Sequence, residues 1–168
     1  MIKIIDNFLK VEYYEKMINF CERSTYLYGE KDSKDSPETG MVHNFNLNSS
    51  IVEVFQKNLI DLYPEIKKFY LERMYINCFA PSENPYFHID AELGITCLYY
   101  PTKSWNYDDG GETQFILNDE IKGVLPIPNR IVIFDSNILH KATSFRNKHR
   151  FTVALKYKPN SIFKYTQL

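Results

Sequence analysis

Long apolar runs are missing from this 168-residue chain. None approaches the roughly 20 residues that a membrane-spanning helix needs, so no bilayer-crossing helix is expected. The opening segment, MIKIIDNFLKVEYY, has no sustained apolar stretch and carries charge early, so no secretory leader is expected either. Cysteine is scarce: Cys21, Cys78 and Cys97 form no CxxC pair, and their number is odd. That argues against a disulfide framework or a cysteine-held zinc ion, and for reduced, buried thiols in a cytoplasmic protein. Net charge is small, at −1, and gives no general reason to expect a nucleic-acid or membrane partner. Internal repeats, heptads and low-complexity tails are absent too, which removes solenoids and coiled coils. One local absence points the other way: from Lys141 to Leu168 there is no Asp or Glu among seven Lys and Arg residues. Either acidic neighbours in space balance that stretch, or it forms a positive rim around a site for an anionic ligand.

Aromatic residues, by contrast, are abundant. Thirteen Tyr and twelve Phe suit a β-rich interior. Ile2 to Asp6 reads as a short strand. Tyr14, Met17, Ile18 and Cys21 recur at three- and four-residue steps and predict a helix from Val11 to about Ser24. A second helix is expected from Ile51, capped by Ser49 or Ser50, with Pro64 ending it or opening a further turn that reaches Tyr70. From residue 71 the period becomes strand-like. LERMYINCFA, HID, GITCLYY, ETQFIL, GVLPI, RIVIFD and RFTVALKY are candidate strands split by turn residues. Helices first and many short strands after them predict an α+β, mainly β chain: a sandwich or barrel with helices packed outside. A single domain is expected, with residues 1–70 as helical support and 71–160 as the β core.

His88 and Asp90 stand two residues apart in a run that otherwise reads as apolar. On a strand, residues i and i+2 point the same way with Cα atoms about 7 Å apart, so this imidazole and carboxylate can converge on one metal ion. The natural third donor is His140, just past the apolar strand RIVIFD. Two His and one carboxylate leave open positions and fit non-heme Fe(II) chemistry. Arg150 opens RFTVALKY ten residues later. There Arg150, Thr152, Ala154 and Lys156 share one face, and Phe151, Val153, Leu155 and Tyr157 the other. The polar face points Arg150 toward the metal ligands, where a guanidinium holds a carboxylate bidentately. Tyr100 shares parity with Asp90 if the strand continues, so its hydroxyl can reach that carboxylate. His43 and His149 read as surface or supporting residues, and Trp105 as packing at the base of a loop.

His88-x-Asp90, His140 and Arg150 together resemble the Fe(II)- and 2-oxoglutarate-dependent dioxygenases, and the prolyl 4-hydroxylase-like branch best. HIDAELGITCLYYPTKSW, GGETQF, IPNRIVIFDSNILHKATSFRNKHRFTVALKY and the opening IIDNFLKVEYYEKMINFCE carry the same texture. The resemblance implies a double-stranded β-helix (jelly-roll) core. It implies His88, Asp90 and His140 as iron ligands and Arg150 as the residue that binds the distal carboxylate of 2-oxoglutarate. Tyr100 matches a tyrosine that assists Arg150 in some members. Asn77 matches an asparagine that contacts the co-substrate in the nucleobase-demethylase branch, although Phe79 stands where that branch often has Tyr. The implied reaction hydroxylates an unactivated C–H bond with O₂ and releases succinate and CO₂, and ascorbate is a further reductant that the resemblance allows. The expected substrate is a peptidyl or protein side chain, proline first, or a small molecule. Oxidative nucleobase demethylation on the same scaffold, a jelly-roll metal-binding module without turnover, and a zinc hydrolase stay open as alternatives. The polar loop Gly29–Gly40 and the loop Pro101–Gly111 are candidate lids, or plain surface connections.

Overall fold

The central strands are apolar on both faces because two different layers cover them. The structure, a computed structural model, describes residues 1–31, 36–81 and 83–160. Along the chain run β1 (Ile2–Ile5), α1 (Val11–Arg23), β2 (Leu27–Tyr28), β3 (Met41–Asn44) and α2 (Ser50–Leu62). A 3₁₀ turn (Pro64–Lys68) leads into β4 (Phe69–Phe79). Then follow β5 (Ile95–Tyr100), β6 (Thr113–Leu117), β7 (Glu120–Val124), β8 (Arg130–Asp135), β9 (His140–Ala142) and β10 (Arg150–Pro159). A seven-stranded sheet has the order β1-β8-β5-β10-β4-β3-β2, and a three-stranded sheet the order β7-β6-β9. All the strand pairs are antiparallel. This is the expected jelly roll with helices outside it.

The larger sheet separates two cores. On β10, Val153 and Leu155 join the core under the helices, while Ala154 joins the core between the sheets. β5 divides the same way, with Cys97 and Tyr99 on the helix side and Leu98 and Tyr100 on the other. α1 buries Met17, Ile18 and Cys21, and α2 buries Val52, Phe55 and Leu59. Phe55 stands edge-on to Tyr99 with ring centroids 5.2 Å apart. Each such side chain stabilises the fold by about 1.5–3 kcal/mol through burial. The three cysteines are free and buried.

Several local expectations change. Residues 1–70 do more than support the sheet: β1 pairs with β8, and β2 and β3 extend it beyond β4. Ser49 occupies the N-cap of α2 without a side-chain capping bond. HID is no regular strand; its His88 makes one isolated bridge to His140. The strand read as GVLPI lies earlier, at Glu120–Val124, in a tight hairpin with β6. Backbone pairing across long sequence separation decides each of these, and local periodicity does not report it.

Candidate metal centre

The site is assembled at the junction of the two sheets. The backbones of His88 and His140 exchange reciprocal N–H···O bonds of 3.0 Å, which sets the two rings side by side at 4.6 Å. Asp90 is held by its backbone N–H to the Ser136 carbonyl at 2.9 Å. Gly94 then turns the chain into β5 at φ +143, where a Cβ would collide with the Tyr157 carbonyl. One ligand atom each from His88, Asp90 and His140 lies within 4.8 Å of the others. Nε2 of His88 is 3.5 Å from Asp90 Oδ1, and Nε2 of His140 is 3.6 Å from Oδ2.

The tautomers suit metal binding. Nδ1 of His88 donates to the Tyr86 carbonyl at 3.0 Å, and Nδ1 of His140 to the Ile138 carbonyl at 2.9 Å. A carbonyl can only accept, so each Nδ1 carries a proton and Nε2 is the ring nitrogen turned toward the site. Burial pushes the His140 imidazole down to about 4, against the pull of Asp90, so it is neutral at physiological pH. Phe115 and Phe134 flank that ring on its dry side. Burial alone would raise the Asp90 carboxyl, but Lys156, His88 and His140 outweigh it and hold the group well below the usual range. Two imidazole nitrogens and one carboxylate oxygen, open to a cavity, are a donor set that Fe(II) accepts.

Arg150 lines the same cavity yet is 1% exposed. Its Nε donates to the Gly111 carbonyl at 2.8 Å and its Nη2 to Thr113 Oγ1 at 2.9 Å. Burial pulls the guanidinium below its ordinary value, with Tyr100 and Glu112 acting the other way. Nη1 has no hydrogen-bond partner among the described residues, so a fixed cation presents a donor toward the cavity. Asn77 also lines the cavity, on β4 opposite Thr152.

Tyr100 stands beside Arg150. Its hydroxyl donates to Thr113 Oγ1 at 2.7 Å, and its ring lies 5.7 Å from the Arg150 guanidinium. It is not among the residues that line the cavity. The chain turns between Asp90 and Ile95, and on β5 Tyr100 shares the face of Thr96, which bonds Asp90, and of Leu98, which lines the cavity. Thr113 and Gly111, which seat Arg150, carried no signal in the sequence. Lys156 did: it shares the Arg150 face of β10 and forms an ion pair with Asp90 Oδ2. Burial would lower its ammonium, but Tyr75 and Asp90 keep it above its ordinary value, so it is charged.

Three cations of the basic tail meet acidic partners. Lys148 pairs with Asp109, Lys156 with Asp90 and Lys158 with Glu72. His43 bonds the Thr25 carbonyl and packs on Phe20, Tyr26 and Phe45, away from the site. Trp105 bonds the Gly110 carbonyl at 2.9 Å, closing its own loop. Of the two candidate lids, Glu30 and Lys31 stand on the cavity wall, while residues 32–35 lie outside the described residues. No residue of Pro101–Gly111 lines this cavity.

Residues 75–157 match the family described as the 2OG-Fe(II) oxygenase superfamily. No curated protein matches the chain. Among solved structures, it is similar to a prolyl-4-hydroxylase from Pseudomonas putida, at 12% identity over 95% of this chain and 93% of that one, with a TM-score of 0.74. It is similar to a Trichoplax adhaerens prolyl hydroxylase, in complex with a hypoxia inducible factor oxygen degradation domain peptide, at 17% identity over 94% and 83%, TM-score 0.75. A third is the viral collagen prolyl hydroxylase of Paramecium Bursaria Chlorella virus-1 in its 2OG complex, at 15% identity over 95% and 96%, TM-score 0.71.

Proposed function

We propose that the chain is a 2OG-Fe(II) oxygenase that hydroxylates a peptidyl side chain, proline first, a reading supported by the family match over residues 75–157 and by the prolyl hydroxylase folds it resembles. The observation that carries this reading is the meeting of a His-Asp-His donor set and the buried Arg150 in one open cavity. In it, His88, Asp90 and His140 hold iron, and Nη1 of Arg150 takes the distal carboxylate of 2-oxoglutarate. Iron bound there supplies the oxidation by O₂ that turns 2-oxoglutarate into succinate and CO₂ and places a hydroxyl on the substrate. The chain's own work is positional. The histidine Nδ1–H bonds aim both rings, Gly111 and Thr113 fix the guanidinium, and Phe115 and Phe134 exclude water behind His140.

Peptide as substrate class draws support from the peptide-bound neighbour. Nucleobase demethylation draws less support, because among the described residues Lys148, Lys156 and Lys158 face acidic partners and are not free for phosphates. A binding module or a hydrolase leaves Arg150 without a task.

The assay combines anaerobic Fe(II), 2-oxoglutarate and a panel of proline-containing peptides, then admits O₂. The expected result is succinate in step with a one-oxygen gain in peptide mass. Succinate with nucleosides but not with peptides would replace the substrate assignment. No succinate with any substrate class would sink the oxygenase reading. His140→Ala should lose metal binding while keeping its melting temperature within a few degrees.

A further inference from the structure

Asp90 is gripped on one oxygen only. Thr96 Oγ1 donates to Asp90 Oδ2 at 2.6 Å, and the Lys156 ammonium pairs with that same oxygen. The two donors are cross-strand partners: Lys156 on β10 stands opposite Thr96 on β5 in the antiparallel register. Ser136 Oγ, 3.1 Å from Thr96 Oγ1, backs the threonine. On its other side Lys156 faces the ring of Tyr75, with Nζ 6.0 Å from the centroid. Immediately after Lys156 the pairing of β10 with β4 slips by one residue. Such a bulge re-aims a side chain, and it is where the sheet meets the site.

We infer that Lys156 is a positioning residue of the metal centre: with Thr96 it occupies Oδ2 of Asp90 and leaves Oδ1 as the oxygen that binds the ion. A carboxylate oxygen offers about two lone-pair sites, and two donors fill those of Oδ2. His140 Nε2 stands 3.6 Å from the filled Oδ2, while Oδ1, which takes neither donor, faces Nε2 of His88. An ion held between the two imidazoles would then find only Oδ1 of Asp90 free to bind it. This inference rests on the iron reading above. It gives Lys156, which lies six residues beyond Arg150 on the same cavity face, a separate task from the anchoring cation.

Two views of Lys156 predict opposite signs. If it were only a cation competing for Asp90, removing it would tighten metal binding. If it positions Asp90, removing it weakens metal binding, by roughly 10–100-fold as for other partners that orient metal ligands. The test titrates Mn(II) into wild type, Lys156→Met, Lys156→Arg and Thr96→Val without turnover, and records the visible spectrum of each Co(II)-loaded protein. Lys156→Met should bind Mn(II) roughly 10–100-fold more weakly and shift the Co(II) bands as Asp90 begins to chelate. Thr96→Val should move both readouts the same way. Lys156→Arg, which keeps the charge and the donor, should recover most of the affinity and the wild-type spectrum. Should Lys156→Met fail to fold, Thr96→Val and Lys156→Arg still decide the matter. Equal or tighter Mn(II) binding in Lys156→Met or Thr96→Val, with the Co(II) spectrum unchanged, would overturn the inference alone. Failure of wild type to bind either ion would overturn the iron reading itself.

Discussion

Thr113→Val tests how Arg150 is held. The threonine hydroxyl accepts from the Tyr100 hydroxyl at 2.7 Å and from Arg150 Nη2 at 2.9 Å. All three residues are buried, at 1%, 0% and 1% exposure. Valine keeps the shape and removes the acceptor, so a phenol and a guanidinium lose a partner that water cannot easily replace. A neutral buried hydrogen bond contributes about 0.5–1.5 kcal/mol and one to a charged group about 1.5–3, so the substitution should cost about 2–4 kcal/mol. Tyr100→Phe should cost less, about 1 kcal/mol, because Arg150 keeps its acceptor. In the double variant the phenol is already gone, so its cost should fall below the sum of the singles by about 0.5–1 kcal/mol. Urea denaturation reads the stabilities, and titration of the metal-loaded protein reads 2-oxoglutarate affinity. Thr113→Val should weaken that affinity about tenfold or more, because the guanidinium loses one of its two fixed bonds; Tyr100→Phe should leave it within about threefold. A stability loss under about 0.5 kcal/mol for Thr113→Val, or full additivity, would refute the shared-acceptor argument.

Gly111→Ala should be more damaging than an ordinary loop substitution. Gly111 sits at φ +82, and a Cβ there would run into the buried Phe145 ring. The backbone cost of about 1–2 kcal/mol and overpacking of about 1–3 predict a loss of about 2–5 kcal/mol, together with weaker 2-oxoglutarate binding as the carbonyl under Arg150 moves. Calorimetry and the same titration check both. Asp6→Asn probes the pH dependence of stability. The hydrogen bond from Arg130 holds the Asp6 carboxyl below its ordinary 3.8, against burial. A folded value below the unfolded one makes this stabilisation complete above pH 3.8 and drains it as pH falls through the folded value. Asp6 is half exposed, which limits the effect to about 1 kcal/mol or less. Wild type and variant should therefore differ in urea midpoint at pH 6 and converge toward pH 3; a gap that widens on acidification would contradict the pairing.

Much of the centre was legible because period two alone aims side chains along a true strand. The faces of β10 followed from RFTVALKY, and the structure seats Val153 and Leu155 under the helices with Arg150 and Lys156 in the cavity. Tyr100 likewise lies on the cavity-side face of β5, beside Arg150, although the chain turns at AELG before that strand begins. Period two missed β9, because three residues are too few to show a period. β2 and β3 were hidden in a polar stretch, where backbone pairing with β4, and not an apolar pattern, makes the strand.

What the sequence by itself determined is the chemistry on offer: two imidazoles, a carboxylate and a guanidinium, spaced so that a β-rich fold can gather them. Side-chain type and short-range spacing are local properties, and a single chain states them outright. What only the tertiary structure decided is how each is held. The reciprocal bonds between His88 and His140, the Gly111 and Thr113 seat of Arg150, and the Thr96–Lys156 grip on Asp90 all join residues far apart in the chain. Their meeting depends on strand register and on where turns end strands, and those follow from the packing of the whole molecule.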